Sequence, residues 1–207
     1  MKKLLSISIL LFFSASSFAQ DTTLVKEAFG YDGRVLPYIS DQVFRNIKID
    51  NTLRLAEVMD SNSIDHVTAK LGNPIDVENQ KDKAADGTVL FETKILSYSG
   101  LKFYYPKNKT FKISNIDFTS DEHFFRINGK KTQVGMSLDE ISGKLISALD
   151  FSPKRTEATL YVLETDPKGN LQKNKKGNIS GGYRYIKFEI EPSTNRITKI
   201  SIIFTVI

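Results

Sequence analysis

The chain has no cysteine, no tryptophan and only two histidines among 207 residues. Without cysteine there is no disulfide, no thiol nucleophile, no iron–sulfur cluster and no zinc site that uses sulfur. His66 and His123 supply little for imidazole catalysis or for a multi-histidine metal site. No Gly-rich phosphate loop, Gly-x-Ser-x-Gly turn or His-Glu-x-x-His helix is present, and no two carboxylates are spaced so as to single out a glycosidase-like pair. The sequence therefore reads as non-enzymatic, with no catalytic residue, no cofactor and no metal. With 12 glycines and 6 prolines the chain is neither collagen-like nor low-complexity, and its 40% hydrophobic content is enough to close a core. One or two small domains are expected.

What is there begins with an export signal. Lys2 and Lys3 precede an apolar run from Leu4 to Phe13, and Ser17 and Ala19 fit the small-x-small pattern that a signal peptidase reads. Residues 1–19 read as a signal peptide, cleaved after Ala19 to leave a chain starting Gln20-Asp21. The apolar run is well short of the roughly 20 residues that span a bilayer, and no later segment approaches that length, so no transmembrane segment is expected in the mature chain. The expected location is periplasmic or secreted. The formal charge of +5 falls by two when Lys2 and Lys3 are removed. So mild an imbalance does not call for nucleic acid. An exported protein without disulfides relies on packing for its stability.

The rest of the chain reads as a duplication. Ser63-Ile64-Asp65-His66-Val67-Thr68-Ala69-Lys70-Leu71 resembles Ser137-Leu138-Asp139-Glu140-Ile141-Ser142-Gly143-Lys144-Leu145, and in both the apolar residues recur at helical spacing. Ser63 and Ser137 are the expected N-caps, and Ser137 with Glu140 forms a capping box. Downstream, Leu101-Lys102-Phe103 resembles Ile186-Lys187-Phe188, and Lys112-Ile113-Ser114 resembles Lys199-Ile200-Ser201. Upstream, Lys48-Ile49-Asp50-Asn51 resembles Arg126-Ile127-Asn128-Gly129, and Asn-Gly is a hairpin signal. The second copy has a longer interval between helix and strand, placed in the lysine-rich stretch from Asp166 to Asn178. The fold class is α+β: two tandem copies of a helix packed on an antiparallel β-sheet, at residues 44–122 and 123–207. Residues 20–43 form an N-terminal extension, with a short helix over Leu24–Phe29 and a loop from Gly30 to Ser40.

Gly135-Met136-Ser137 before one helix, Leu71-Gly72-Asn73-Pro74 after the other, and the strand Leu101-Lys102-Phe103 resemble the tandem-repeat fold of the secreted beta-lactamase inhibitor proteins. They are similar also to the small outer-membrane-assembly lipoproteins, which use one copy of that fold. The chain departs from both patterns: Ser61-Asn62-Ser63 stands where Gly-Met-Ser is expected, Leu145-Ile146-Ser147 replaces Leu-Gly-x-Pro, and neither disulfides nor a lipid-accepting cysteine are present. The resemblance implies an exported protein whose open sheet face binds another protein.

Strand alternation says what that face would carry. If Leu101, Phe103 and Tyr105 face the helix, Lys102 and Tyr104 face away. If Ile186, Phe188 and Ile190 face the helix, Tyr183, Tyr185, Lys187 and Glu189 do not. Tyr161 joins them, since Leu160 and Val162 suit the core. The expected protein-binding set is therefore Lys102, Tyr104, Tyr161, Tyr183, Tyr185 and Lys187. Tyrosine suits an interface because it buries apolar area while keeping a hydroxyl for hydrogen bonding, although strand propensity alone also accounts for tyrosines. His66 reads as a solvated residue of a helix's first turn, Asp121-Glu122-His123 as a connecting turn, and the lysines from Lys168 to Lys176 as either a basic patch or a solvated loop. Asn108 and Asn178 sit in glycosylation sequons. Three functions fit: an inhibitor-like or immunity-like module binding another protein, a non-catalytic envelope assembly or maintenance factor, and an enzyme with an unrecognised site.

Overall fold

The computed structural model describes residues 25–29, 35–107, 113–127, 129–145, 156–168, 170–173 and 181–204. The leader, both sequon asparagines and part of the lysine-rich loop, including Lys175 and Lys176, lie outside these residues. The protein is mixed α/β and dominated by sheet. In chain order the elements are β1 (Lys26–Phe29), β2 (Val35–Ser40), α1 (Asp41–Asn46), β3 (Lys48–Ile49), β4 (Leu53–Arg54), α2 (Leu55–Val58), α3 (Ser63–Leu71), β5 (Asp76–Lys83), β6 (Val89–Tyr98), β7 (Leu101–Pro106), β8 (Asn115–Phe118), β9 (Phe125–Ile127), β10 (Lys130–Thr132), α4 (Leu138–Ile141), β11 (Glu157–Leu163), β12 (Gly181–Glu191) and β13 (Arg196–Ile203).

Nine strands form one continuous sheet in the order β1-β2-β11-β12-β13-β8-β7-β6-β5. Every pairing is antiparallel except β2 with β11. The meanders β6-β7-β8 and β11-β12-β13 thus lie side by side, joined along β8 and β13. The remaining pairs are small hairpins, β3 with β4 and β9 with β10.

Alternating apolar residues make this sheet. Leu101, Phe103, Ile116, Phe118, Ile186, Phe188, Ile200 and Ile202 are buried on one face, in the same cluster as Phe44 of α1, Leu55 and Val58 of α2, Val67 of α3, and Leu138 and Ile141 of α4. A single core therefore underlies both meanders. Burying each such side chain stabilises the fold by about 1.5–3 kcal/mol before the entropy of ordering it is counted. The two-residue link between β6 and β7 depends on Gly100, whose φ is +67° and where an added Cβ would come within 1.8 Å of the Ser120 hydroxyl oxygen.

Several expectations change. Residues 26–29 are a strand, not a helix, and 35–40 are a strand, not a loop. Six residues from Leu24 to Phe29 are too few for periodicity to separate helix from strand. What decides the outcome is the unpaired side of β11, which takes β2 in parallel through Tyr38, Ile39 and Ser40. Pro37 precedes that ladder, so its missing N–H is not required there. Ser63 is not an N-cap: Asn62 occupies that position, and Ser63 lies inside α3 with its hydroxyl bonded to the Tyr105 hydroxyl at 3.0 Å. The capping of α4 has its match in α2 rather than α3. The Ser137 backbone N–H donates to Glu140 at 2.9 Å and the Arg54 N–H to Glu57 at 2.8 Å, each ahead of a buried Leu-x-Glu-Val or Leu-x-Glu-Ile turn. The two sheets expected are one. The first meander also gains β5, a strand whose charged sequence hides its β character.

Candidate functional site: the tyrosine-bearing sheet face

The register places the outward residues of successive strands in rows across the sheet. One row runs Ser97, Lys102, Asp117, Ser201, Lys187, Thr159, on β6, β7, β8, β13, β12 and β11. The next runs Ile95, Tyr104, Asn115, Ile203, Tyr185, Tyr161 and, on β2, Tyr38. Both lie on the face opposite the helices, because their sequence neighbours Leu101, Phe103, Ile186 and Ile202 belong to the core. Five of the six residues expected at the site, Lys102, Tyr104, Tyr161, Tyr185 and Lys187, therefore share one face. Tyr183 lies on β12, but its side chain is outside the described residues.

The centre of this face, where β8 meets β13, is a polar network. The Asp117 carboxylate accepts the Ser201 hydroxyl at 2.8 Å and the Asn115 amide at 3.2 Å, and pairs with the Lys199 ammonium at 2.9 Å. Burial, followed by the negative charge and hydrogen bond of Asp117, pushes the Tyr104 hydroxyl up to about 12. Tyr104 is therefore held in its neutral form. Lys187 is tied to Glu157 at 2.7 Å, and that bond, with the nearby Glu189, raises its pKa above the ordinary lysine range. Lys102 is exposed. These partners fix the orientation of the central side chains.

Toward the β1 edge the face is used differently. Tyr161 packs with Ala28, Tyr38, Leu163 and Leu171 in a small second cluster. Leu171 comes from the segment after β11, bridged back to Thr165. Part of the Tyr161 ring is therefore committed to packing within the protein.

The residues that might have pointed to chemistry serve other ends. Nδ1 of His123 sits 2.6 Å from the Asp50 carboxylate, the Phe124 N–H donates to the same carboxylate at 3.1 Å, and the Asp50 N–H donates to the Phe124 carbonyl at 2.9 Å. This latch ties the turn of the β3-β4 hairpin to the start of β9. His66 lies half-buried on α3. No group of three metal-ligating side chains occurs among the described residues. A shallow cleft of about 330 Å³ at the start of α3 is lined by Ser61, Asn62, Ser63, Lys94, Tyr105 and Lys107, but Ser63 bonds Tyr105 and Lys107 bonds Glu92 at 2.6 Å. The Asp117 network is the feature the sequence reading missed. Its signal was Asn115-Ile116-Asp117-Phe118, an alternation whose polar positions fall on the outer rows.

No family model and no curated protein matches the chain. Among solved structures it is similar to a cysteine-rich secretory protein from Staphylococcus aureus subsp. aureus Mu50, at 12% identity and a TM-score of 0.31, over 68% of this chain and 42% of that one. It is similar also to an extracellular protein containing an SCP domain from Bacillus anthracis str. Ames, at 10% identity and a TM-score of 0.34, over 72% and 45%. The chain spans less than half the length of either, and likeness at this level carries no argument about function. No helix among the described residues is long and apolar enough to cross a membrane.

Proposed function

We propose that this is an exported, non-catalytic protein-binding module, inhibitor-like or immunity-like, that engages a partner protein through the tyrosine-bearing face. The observation that carries the reading is the pair of rows that set Lys102, Tyr104, Tyr185 and Lys187 on one face, on both sides of the β8-β13 seam. The reading includes the duplication. In favour of it, Lys102 and Lys187 stand symmetrically in one row, each one strand away from the central Asp117 and Ser201 pair, and both α2 and α4 follow a small hairpin with the same capping. Two helix-on-sheet units, 44–122 and 123–207, would then have joined their last strands to give one platform. Cleavage near Ala19 and release to the periplasm or beyond belong to the same reading and rest on the leader sequence. Resemblance to the inhibitor proteins and to the assembly lipoproteins fits it as well.

The test is affinity capture with the mature protein from the envelope and secreted fractions, followed by titration of the recovered partner. A stoichiometric complex is expected, weakened about 10- to 100-fold by Tyr104→Ala or Tyr185→Ala and unchanged by His66→Ala. A partner whose affinity is indifferent to both tyrosines would overturn the proposal.

A further inference from the structure

Strand β5 closes the sheet at the end away from the N-terminal extension, and among the described residues nothing pairs with its outer side. All eight of its residues are exposed, and it contains neither glycine nor proline. The strand at the opposite edge, β1, is only four residues long and half covered. Among the described residues, the contact of β7 with β6 ends at the Thr93–Pro106 pair and the bond from the Lys107 N–H to the Glu92 carbonyl at 2.8 Å, while the pairing of β5 with β6 runs on to Lys83 and Val89. An edge of this length presents alternate backbone N–H and C=O groups to an incoming strand.

Charge on β5 is sorted by face. Asp76, Glu78 and Asp82 lie on the side that carries Tyr104, opposite Ser97, Ile95 and Phe91 of β6, none of which is a cation. Lys81 and Lys83 lie on the other side; Lys81 faces Glu92, which is bonded to Lys107, and Lys83 faces Val89. The two faces of this edge therefore carry opposite charge, acidic on the tyrosine-bearing side and basic on the other. A second copy of the chain would not satisfy them. Antiparallel pairing of two β5 edges about a two-fold axis normal to the sheet keeps each face on its own side, so one acidic row would meet another and repel it.

We propose that the outer edge of β5 docks an extended segment of another protein that carries lysine or arginine at alternate positions, directed to the tyrosine-bearing side. Backbone pairing supplies the attachment, and the row Asp76, Glu78, Asp82 selects its sequence and register. The exposed Val77, beside that edge on the opposite face, gains cover from the added strand. The proposal is independent of the open-face reading, since it concerns the edge and not the tyrosines.

The probes are two short capped peptides, one alternating lysine with threonine and one alternating glutamate with threonine, titrated into isotope-labelled protein while the β5 amides are followed by NMR. The lysine peptide is expected to shift and protect amides between Asp76 and Lys83 and to bind about tenfold tighter than the glutamate peptide, from cross-strand ion pairs of modest individual strength. The triple variant Asp76→Lys, Glu78→Lys, Asp82→Lys, altered only at exposed positions, should reverse that order, and Tyr104→Ala should leave it intact. Equal binding of the two peptides, responses away from β5, or an unchanged preference in the triple variant would overturn the proposal.

Discussion

The two meanders of the sheet differ most at their outer sides and least where they meet. β6-β7-β8 is extended by β5, which follows α3 directly, whereas β11-β12-β13 is extended by β2, which comes from the other end of the chain and pairs in parallel. Toward the seam the pattern converges. Phe103 and Phe188 are both fully buried, Lys102 and Lys187 stand in one row, and Asp117 faces Ser201. The core-facing alternation and the central row are thus common to both halves, while the outermost strand is whatever segment can satisfy an open edge. One difference sits at the seam itself: a carboxylate on one side and a hydroxyl on the other, so that the pair bonds where two carboxylates would repel.

That comparison can be broken most forcefully in the core. Phe103→Ala and Phe188→Ala should each cost about 3–5 kcal/mol, within about 1 kcal/mol of each other, and each should leave a single unfolding transition because one cluster spans both halves. Denaturant titration followed by fluorescence and circular dichroism checks this, and two separated transitions would show that the halves fold independently. At the seam the effects should be unequal. Asp117→Ala strands Lys199 and leaves the Ser201 hydroxyl without its acceptor, at about 2–3 kcal/mol, whereas Ser201→Ala removes one hydrogen bond, at about 1 kcal/mol. Equal costs would mean that the carboxylate is not the centre of the network.

The caps provide a gentler comparison. Glu57→Ala and Glu140→Ala remove the same bond from α2 and α4, and each should lower stability by about 0.5–1 kcal/mol. If only one of them matters, the match between the two helices is superficial. The smallest effect is that of alkali on Tyr104. A hydroxyl whose pKa is raised on folding contributes stability that is fully present below the unfolded value near 10 and is lost as the pH rises toward about 12. Tyr104→Phe should remove part of the stability loss across that window, and absorbance titration should show one fewer late-ionising tyrosine in the variant than in the parent, where burial also raises Tyr38, Tyr98 and Tyr105.

Alternation made the central strands readable: burial of Leu101, Phe103 and Tyr105, and of Ile186, Phe188 and Ile190, follows from the period-two pattern of those segments. Lys102, Tyr104, Tyr185 and Lys187 could be placed on the other face for the same reason. The outer strands were not readable. Nothing local in Val35–Ser40 says that it pairs in parallel with residues more than a hundred positions later, and Asp76–Lys83 carries a loop-like composition although its backbone is extended. Ser63 resembled a cap by composition, yet its hydroxyl is required by Tyr105 in the interior, a long-range demand that no helix pattern records. Tyr161 shares a row with Tyr185, as alternation says, but its packing against Tyr38 and Leu171 depends on the chain's return after β11.

The most direct test of the shared platform is to place a photo-crosslinking amino acid at Tyr104, at Tyr185 and, as a control, at the exposed Lys70 of α3, one at a time, in the organism that makes the protein. Adducts to one and the same partner from positions 104 and 185, with none from position 70, are the result expected. Different partners from the two tyrosine positions, or an adduct from position 70 alone, would contradict a single docking surface spanning the seam.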